Sequence, residues 1–394
     1  MTNKTPVERK ITRFRKKLLS PLYEFLRDSR AVGIVLIVCT VISLVAANSP
    51  YQAQYIHFWE TAVHFPEGWH LPHTLLHWIN DGLMVLFFFL VGMEIKRELT
   101  VGELSSVRKS LLPALAALGG MVCPALIFVL FNAHTQHVHG WGIPMATDIA
   151  FSLGILSLLG KRVPVNLKIF LMALAIIDDL GAILAIAIFY TDNLQLIYLF
   201  SGAGVLALLI VVNLLKVQRL IFYFIPGLLL WYCIYNSGIH ATIAGVLLAF
   251  CIPCSKIADL IHQLHDPVNF IVMPVFALAN TAIVFPADLW LAFSDTVSYG
   301  ILAGLVLGKP LGIFLFSYTA TRLKLAALPH QTTWMQLLGA GIIAGIGFTM
   351  SIFISTLAYN EAELQVISKM SVMAASLFAG IAGYLFLRIL KPAL

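Results

Sequence analysis

Four ionisable residues sit in the middle of stretches otherwise too apolar to meet water, and this combination constrains the chain more than any other feature. Asp148 lies in IPMATDIAFSLGILSL, Asp178 and Asp179 in LMALAIIDDLGAILAI, and Lys309 in LAGLVLGKPLGIFLF. A bilayer core of about 30 Å takes roughly 20 apolar residues per helix. Twelve stretches have that character, near 31–47, 80–95, 111–131, 143–160, 166–190, 193–215, 218–235, 238–252, 269–285, 297–320, 335–357 and 368–389. Charged residues make up only 11% of the 394, against about 25% in a soluble domain. So few charges cannot cover a water-soluble surface of this size. A soluble enzyme, a disordered chain and a disulfide-stapled secreted domain are therefore excluded. The expected fold is an all-α polytopic membrane protein of about 12 transmembrane helices. A basic cytoplasmic segment, 1–30, precedes a single transmembrane domain, 31–394.

The basic residues set the expected orientation. Apart from Lys309 and Lys369, all of the 25 Lys+Arg lie before the first stretch or around alternate connections. Both termini are then cytoplasmic. The net charge of +6 reflects this placement and not nucleic-acid binding. The part Arg9–Asp28 reads as a basic amphipathic helix along the inner leaflet. Cys39, Cys123, Cys233, Cys251 and Cys254 read as small buried hydrophobes, since the CxxC of the last two has no second CxxC or His pair to complete a metal site. His134, His137 and His139 fall in an outside loop and read as solvated.

Charges inside apolar spans are costly and default to function. Consecutive helical residues point about 100° apart, so Asp178 and Asp179 cannot face one partner. One can line a cavity while the other meets a neighbouring helix or Lys309. Three carboxylates against one lysine leave excess acid that needs protons or cations. Burial disfavours each charged form and pairing favours it, and groups balanced in this way exchange protons near neutral pH. Thr147-Asp148, just after Pro144, has the chemistry of an N-cap, which predicts a half-helix starting in mid-membrane. Gly339, Gly341, Gly345 and Gly347 mark a second weak point in the eleventh span. The third to fifth spans enter from the cytoplasm and the tenth to twelfth from outside, each with its interrupted helix in the middle. This is the pattern of inverted-topology repeats. Lys309 has three expected partners: carbonyls freed by Pro310, the negative ends of the broken helices, or Asp178. Glu94, Arg97 and Glu98 share one helix face near the cytoplasmic mouth. No cofactor is called for.

The segments WGIPMATDIAFSLGIL, LAIIDDLGAILAIAIFY, GMEIKREL, NSGIHATIAGVLLA, MPVFALANTAI, LGKPLGI and GIGFTMSIFI resemble the NhaA family of bacterial sodium/proton antiporters, from about Arg30 to the C-terminus. The resemblance implies that Asp178 and Asp179 are the ion- and proton-binding pair and hold the transported Na+. It implies that Asp148 is the acid at a crossing of unwound helices, Thr147 the unwound-segment threonine and Lys309 the intramembrane base. Glu94, Arg97 and Glu98, with His262 and His265, match the family's pH-sensing cluster. Ile261 stands where better-known members carry an acid, so the pH set-point does not carry over. The implied activity is electrogenic, pH-regulated export of Na+ or Li+ against H+ by alternating access in the bacterial inner membrane. The resemblance also implies a possible homodimer through loop 48–79, whose counterpart pairs chains in the family's dimers. Two other classes compete. A sodium-coupled symporter for an organic solute should need a larger polar pocket than the broken helices supply. An intramembrane aspartyl protease should show YD and GxGD, but Thr147 precedes Asp148 and no Gly precedes Asp178 or Asp179.

Overall fold

The computed structural model describes residues 29–390 except 67, 68, 192, 193, 287, 289, 291 and 292. The amphipathic segment Arg9–Asp28 lies outside the described residues. Apart from one antiparallel bridge between Ala62 and Thr74, the described residues form helices, turns and loops. In chain order the helices are α1 (Ser29–Ala47), α2 (Gln52–Glu60), α3 (Leu75–Thr100) and α4 (Val107–Asn132). A 3₁₀ segment, Gln136–Met145, leads into α5 (Ile149–Leu158), then α6 (Val165–Phe189), α7 (Leu196–Leu214), α8 (Ile221–Asn236) and α9 (Ile243–Cys251). The rest are α10 (Cys254–Pro267), α11 (Met273–Asn280), α12 (Thr296–Arg322), α13 (Trp334–Ala344), α14 (Phe348–Ala358) and α15 (Ala362–Ile389).

Six of these are long and apolar enough to cross a bilayer, and up to nine spans result if each bent helix pair counts as one. The other three expected stretches also fall on helices, but on shorter ones. α8 has 16 residues and α9 only 9. The third is carried by α11, which continues from α10 through a π turn at Val268–Val272. The long connection expected at 48–79 is partly ordered: it folds into α2 and the Ala62–Thr74 bridge. Three cysteines depart from the expected burial, Cys39 and Cys123 being only half-buried. Cys254 is exposed at the start of α10, while Cys233 and Cys251 are buried.

Two packing features place the ionisable residues. The first is the contact of α4 with α12. A Cβ on Gly119 would collide with the Gly312 carbonyl, and one on Gly312 with the Gly119 carbonyl. Only glycine lets the two backbones touch, and this brings Lys309, one turn before Gly312, into the bundle interior. A π turn at Gly304–Gly308 comes just before it and Pro310 just after, so the helical hydrogen bonding is already loosened there. The second feature is the pair of broken helices. The 3₁₀ segment and α5 meet at 42°, and α13 and α14 at 47°. The two breaks cross in opposite directions. Ser351 Oγ donates to the Ile143 carbonyl at 2.7 Å, the Asp148 amide to the Ile346 carbonyl at 2.7 Å, and Ser152 Oγ to the Ile343 carbonyl at 3.3 Å. Residues after one break thus meet residues before the other. α6, apolar on all sides and starting after Pro164, passes this crossing with Asp178 and Asp179 near its middle.

Candidate functional site

Four half-helix ends converge at the crossing. Two are N-termini, at Ile149 and Phe348, and two are C-termini, at Met145 and Ala344. An N-terminus offers unsatisfied N–H groups and partial positive charge, a C-terminus carbonyls and partial negative charge. The side chains match this division. Asp148 caps both N-termini. Its Oδ1 accepts from the Phe151 amide at 3.0 Å, and its Oδ2 accepts from the Thr349 amide at 3.2 Å and from the Thr349 hydroxyl. At the C-termini stand donors. Lys309 Nζ donates to the Met145 carbonyl, and Thr147 Oγ1 lies 3.1 Å from the Ala344 carbonyl.

The neighbouring aspartates of α6 diverge. Asp178 is wholly buried, with Oδ2 at 2.9 Å from Lys309 Nζ and 2.7 Å from Thr147 Oγ1. Lys309 is equally buried. Thr147 has a single hydroxyl proton for two acceptors, Asp178 and the Ala344 carbonyl, so it serves only one at a time. Asp179 turns the other way. It lines a cavity of about 150 Å³ together with Asp148, Thr349, Glu94, His265 and Asn269. Asp178, Thr147 and Lys309 do not line it. The Oδ1 atoms of both aspartates are buried without a hydrogen-bond partner. Such an atom is costly to leave bare, and in Asp179 it belongs to a carboxyl group that faces the cavity.

The residues expected to sense pH are split. Glu94 and His265 line the cavity; Arg97, Glu98 and His262 do not. Arg97 pairs instead with buried Glu98 at 3.2 Å. His265 is exposed; its Nε2 accepts from Asn269 at 3.1 Å and its Nδ1 faces Asp266 at 3.4 Å. His262 is exposed one turn earlier on α10. At the opposite end of α3, Asp81 pairs with His240 at 3.1 Å, and Asn280 donates to Asn80 at 2.8 Å. Next to His240, the ring of Phe353 packs against those of Phe88 and Phe276.

Sequence reasoning missed Thr349 and Asn269. Thr349 had a usable signal: it stands in the first turn after Gly345 and Gly347, the position in the second broken helix that corresponds to the start of α5 in the first. Asn269 had none, because it reaches the cavity through a π turn. Among the described residues no three His, Cys, Asp or Glu side chains converge as ligands of a resident metal.

Crossed half-helices in a polytopic bundle, with a carboxylate on their N-termini and cationic or hydroxyl donors on their C-termini, define a secondary transporter of the broken-helix type. The chain belongs to the family described as Na+/H+ antiporter 1, which matches residues 23–387. It is 51% identical over 371 residues to Na(+)/H(+) antiporter NhaA 2 of Flavobacterium johnsoniae, covering 92% of this chain and 91% of that one. It is 49% identical to Na(+)/H(+) antiporter NhaA of Cytophaga hutchinsonii (92% and 94% covered), and 48% identical to that of Dechloromonas aromatica (94% and 96% covered).

Proposed function

We propose that this chain exchanges Na+ or Li+ for H+ across the bacterial inner membrane, with Asp179 and Asp148 as the carboxylates that meet the ion from the Glu94 cavity. The observation that carries the reading is the divergence of Asp178 and Asp179: one carboxyl group is closed onto a lysine and the other faces the cavity. Na+ is a hard cation that binds oxygen, and Asp179 and Asp148 offer it carboxylates that otherwise bind protons. Competition between Na+ and H+ for one site, open to one side at a time, is sufficient for exchange.

Electrogenic exchange needs a second proton. Asp179 gives up one on binding Na+. Lys309 gives up the other when Asp178 leaves it to help ligate the ion, so that one Na+ replaces two H+ and Lys309 becomes neutral. The ion pair with Lys309 also holds the crossing together, because the same ammonium takes the Met145 carbonyl. The cavity at Glu94 and the packed rings near Asp81 fit a form open on one side, and reversal of that asymmetry would complete alternating access. By the distribution of basic residues, the Glu94 end and both termini face the cytoplasm. Glu94 and His265 at the cavity, with Asp266, Glu98, Arg97 and His262 around them, supply the pH response. The connection 48–79, with exposed Tyr51, Phe58 and Trp69, pairs two copies of the chain.

Everted membrane vesicles with a preformed pH gradient test this. Added Na+ or Li+ should collapse the gradient in vesicles containing the chain and not in those lacking it. A collapse that requires an organic solute, or no response to either cation from mildly acidic to alkaline pH, would overturn the reading.

A further inference from the structure

Apart from the cavity, with which it shares no lining residue, a groove of about 500 Å³ runs between α1, α5, α14 and α15. Its walls include Ile37, Phe151, Ile346, Phe348, Leu377 and Tyr384. The hydroxyls of Thr40 and Ser376 are engaged with the protein itself: Thr40 donates to the Leu36 carbonyl at 2.8 Å, and Ser376 accepts from the Phe348 amide at 3.1 Å. A polar solute would therefore find little to bind. The rim is apolar and open, with Val41, Ile381 and Leu377 52%, 54% and 67% exposed. In a polytopic chain such a rim faces hydrocarbon.

Two further observations identify the occupant. The groove follows α15 from Met373 to Leu385, a rise of about 18 Å, close to the roughly 15 Å of hydrocarbon in one leaflet. Its occupant is thus about one acyl chain long. At the Tyr384–Leu385 end two guanidinium groups stand one turn further on. Arg388 lies over the Tyr384 ring, 5.9 Å from its centroid, and Arg162 donates one N–H to the Arg388 carbonyl at 2.9 Å. Both side chains are exposed, and a guanidinium has five donors in a fork suited to phosphate.

We propose that this groove binds an anionic phospholipid of the adjoining leaflet, with one tail along α15 and the phosphate on Arg162 and Arg388. The tail would rest on Ile346 and Phe348, and these are the residues through which the second helix break is held. The Ile346 carbonyl accepts from the Asp148 amide, and the Phe348 amide is tied to Ser376. The lipid therefore supports the crossing from outside. The proposal needs a membrane-embedded chain but does not rest on the exchange reading, and its test involves no transport.

Native mass spectrometry of the detergent-purified full chain, titrated with dioleoylphosphatidylglycerol or dioleoylphosphatidylcholine, makes the test. The wild-type chain should retain phosphatidylglycerol about tenfold more strongly, the scale of one charge-assisted hydrogen bond. Replacing both arginines (R162A with R388A) should remove that preference, weakening phosphatidylglycerol far more than phosphatidylcholine, whose own choline cation offsets its phosphate. Leu377→Trp, which narrows the groove at an exposed rim position, should weaken both lipids. As a check that needs no variant, phosphatidylglycerol with a photoactivatable tail should cross-link the wild-type chain in α1, α14 or α15. Cross-links confined to other helices would overturn the proposal. So would equal retention of the two lipids by the wild-type chain, or phosphatidylglycerol retention unaffected by the arginine replacements. A Leu377→Trp variant that loses self-association with lipid retention intact would instead make this face an interface between copies.

Discussion

The two sides of the crossing are built from neighbouring residues and yet differ in kind. On one side Asp178, Lys309 and Thr147 form a closed set, each buried and each held by another. On the other, Asp179 shares a cavity with Asp148, Glu94 and His265; both aspartates leave Oδ1 bare, but only that of Asp179 belongs to a carboxyl group lining the cavity. A single step along α6 separates the two environments. Adjacent carboxyl groups on one helix can thus rest in different environments, one closed onto a lysine and one facing the cavity, because about 100° of rotation per residue sends them to different neighbours.

The largest effect is expected at Asp179. Asp179→Ala should lower sodium-driven proton movement by about 100-fold or more, equivalent to roughly 3 kcal/mol of lost ion binding, while membrane insertion is normal. Wild-type rates in vesicles would remove Asp179 from the exchange site. Asp178→Asn should be nearly as damaging to exchange, but for another reason. It leaves Lys309 as a buried, unpaired cation, and breaking such a pair costs about 3–5 kcal/mol. The loss should therefore appear in thermal unfolding as well.

Lys309 sharpens the comparison. Lys309→Arg keeps a charge that does not deprotonate near neutrality, while Lys309→Gln keeps hydrogen bonding without charge. If Lys309 releases the second proton, both variants should move exchange towards electroneutrality. If it only holds the crossing, Arg should keep the sodium-driven membrane current with reduced stability, and Gln should be the less stable. Unchanged current and unchanged melting in both would contradict every role given to this residue. Smaller effects are expected at the caps. Thr349→Val removes one of two donors to Asp148 Oδ2, so thermal stability should fall by about 1 kcal/mol with exchange retained. An unchanged melting curve would show that the Asp148–Thr349 contact does not hold the two half-helices.

Activity should also rise from about pH 6 to pH 8.5, the range in which His and strongly perturbed carboxyl groups titrate. Protonated carboxyl groups cannot accept Na+, so raising the pH frees the site. Removing Glu94 and His265 together should shift this profile along the pH axis without abolishing exchange. A flat sodium affinity across the range in the wild-type chain would show that neither site protonation nor the cavity mouth controls it.

Much of this architecture is legible in the sequence because membranes allow few solutions. Apolar stretches of span length fall on helices, and the Thr147-Asp148 pair marks a helix break that the structure places at Ala146–Asp148. The divergence of Asp178 and Asp179 follows from helix geometry alone. Other features depend on packing that no local pattern records. The π turns at Ile79–Leu83, Val268–Val272 and Gly304–Gly308 carry no residue signature, and one of them delivers Asn269 to the cavity. Gly345 and Gly347 mark a break, yet what fills it, the Thr349 hydroxyl on Asp148, depends on a residue 201 positions away in sequence. Span length was the least readable property. α9 starts five residues inside its apolar run, after Gly238 turns the chain with a positive φ of 89°, while α8 loses three residues at its other end, after Lys216 at a φ of 56°.

Asp179 receives the exchanged ion from the cavity, while Asp178 rests on Lys309 and holds the crossing until the ion arrives. Sodium-binding calorimetry and thermal unfolding, run on the same purified preparations of Asp178→Asn and Asp179→Asn, test this division most directly. A double separation is expected: Asp179→Asn loses the heat of sodium binding and melts close to the wild-type chain, and Asp178→Asn melts well below it. Sodium binding that survives in Asp179→Asn, or a melting loss larger in Asp179→Asn than in Asp178→Asn, would contradict the division of labour between the two aspartates.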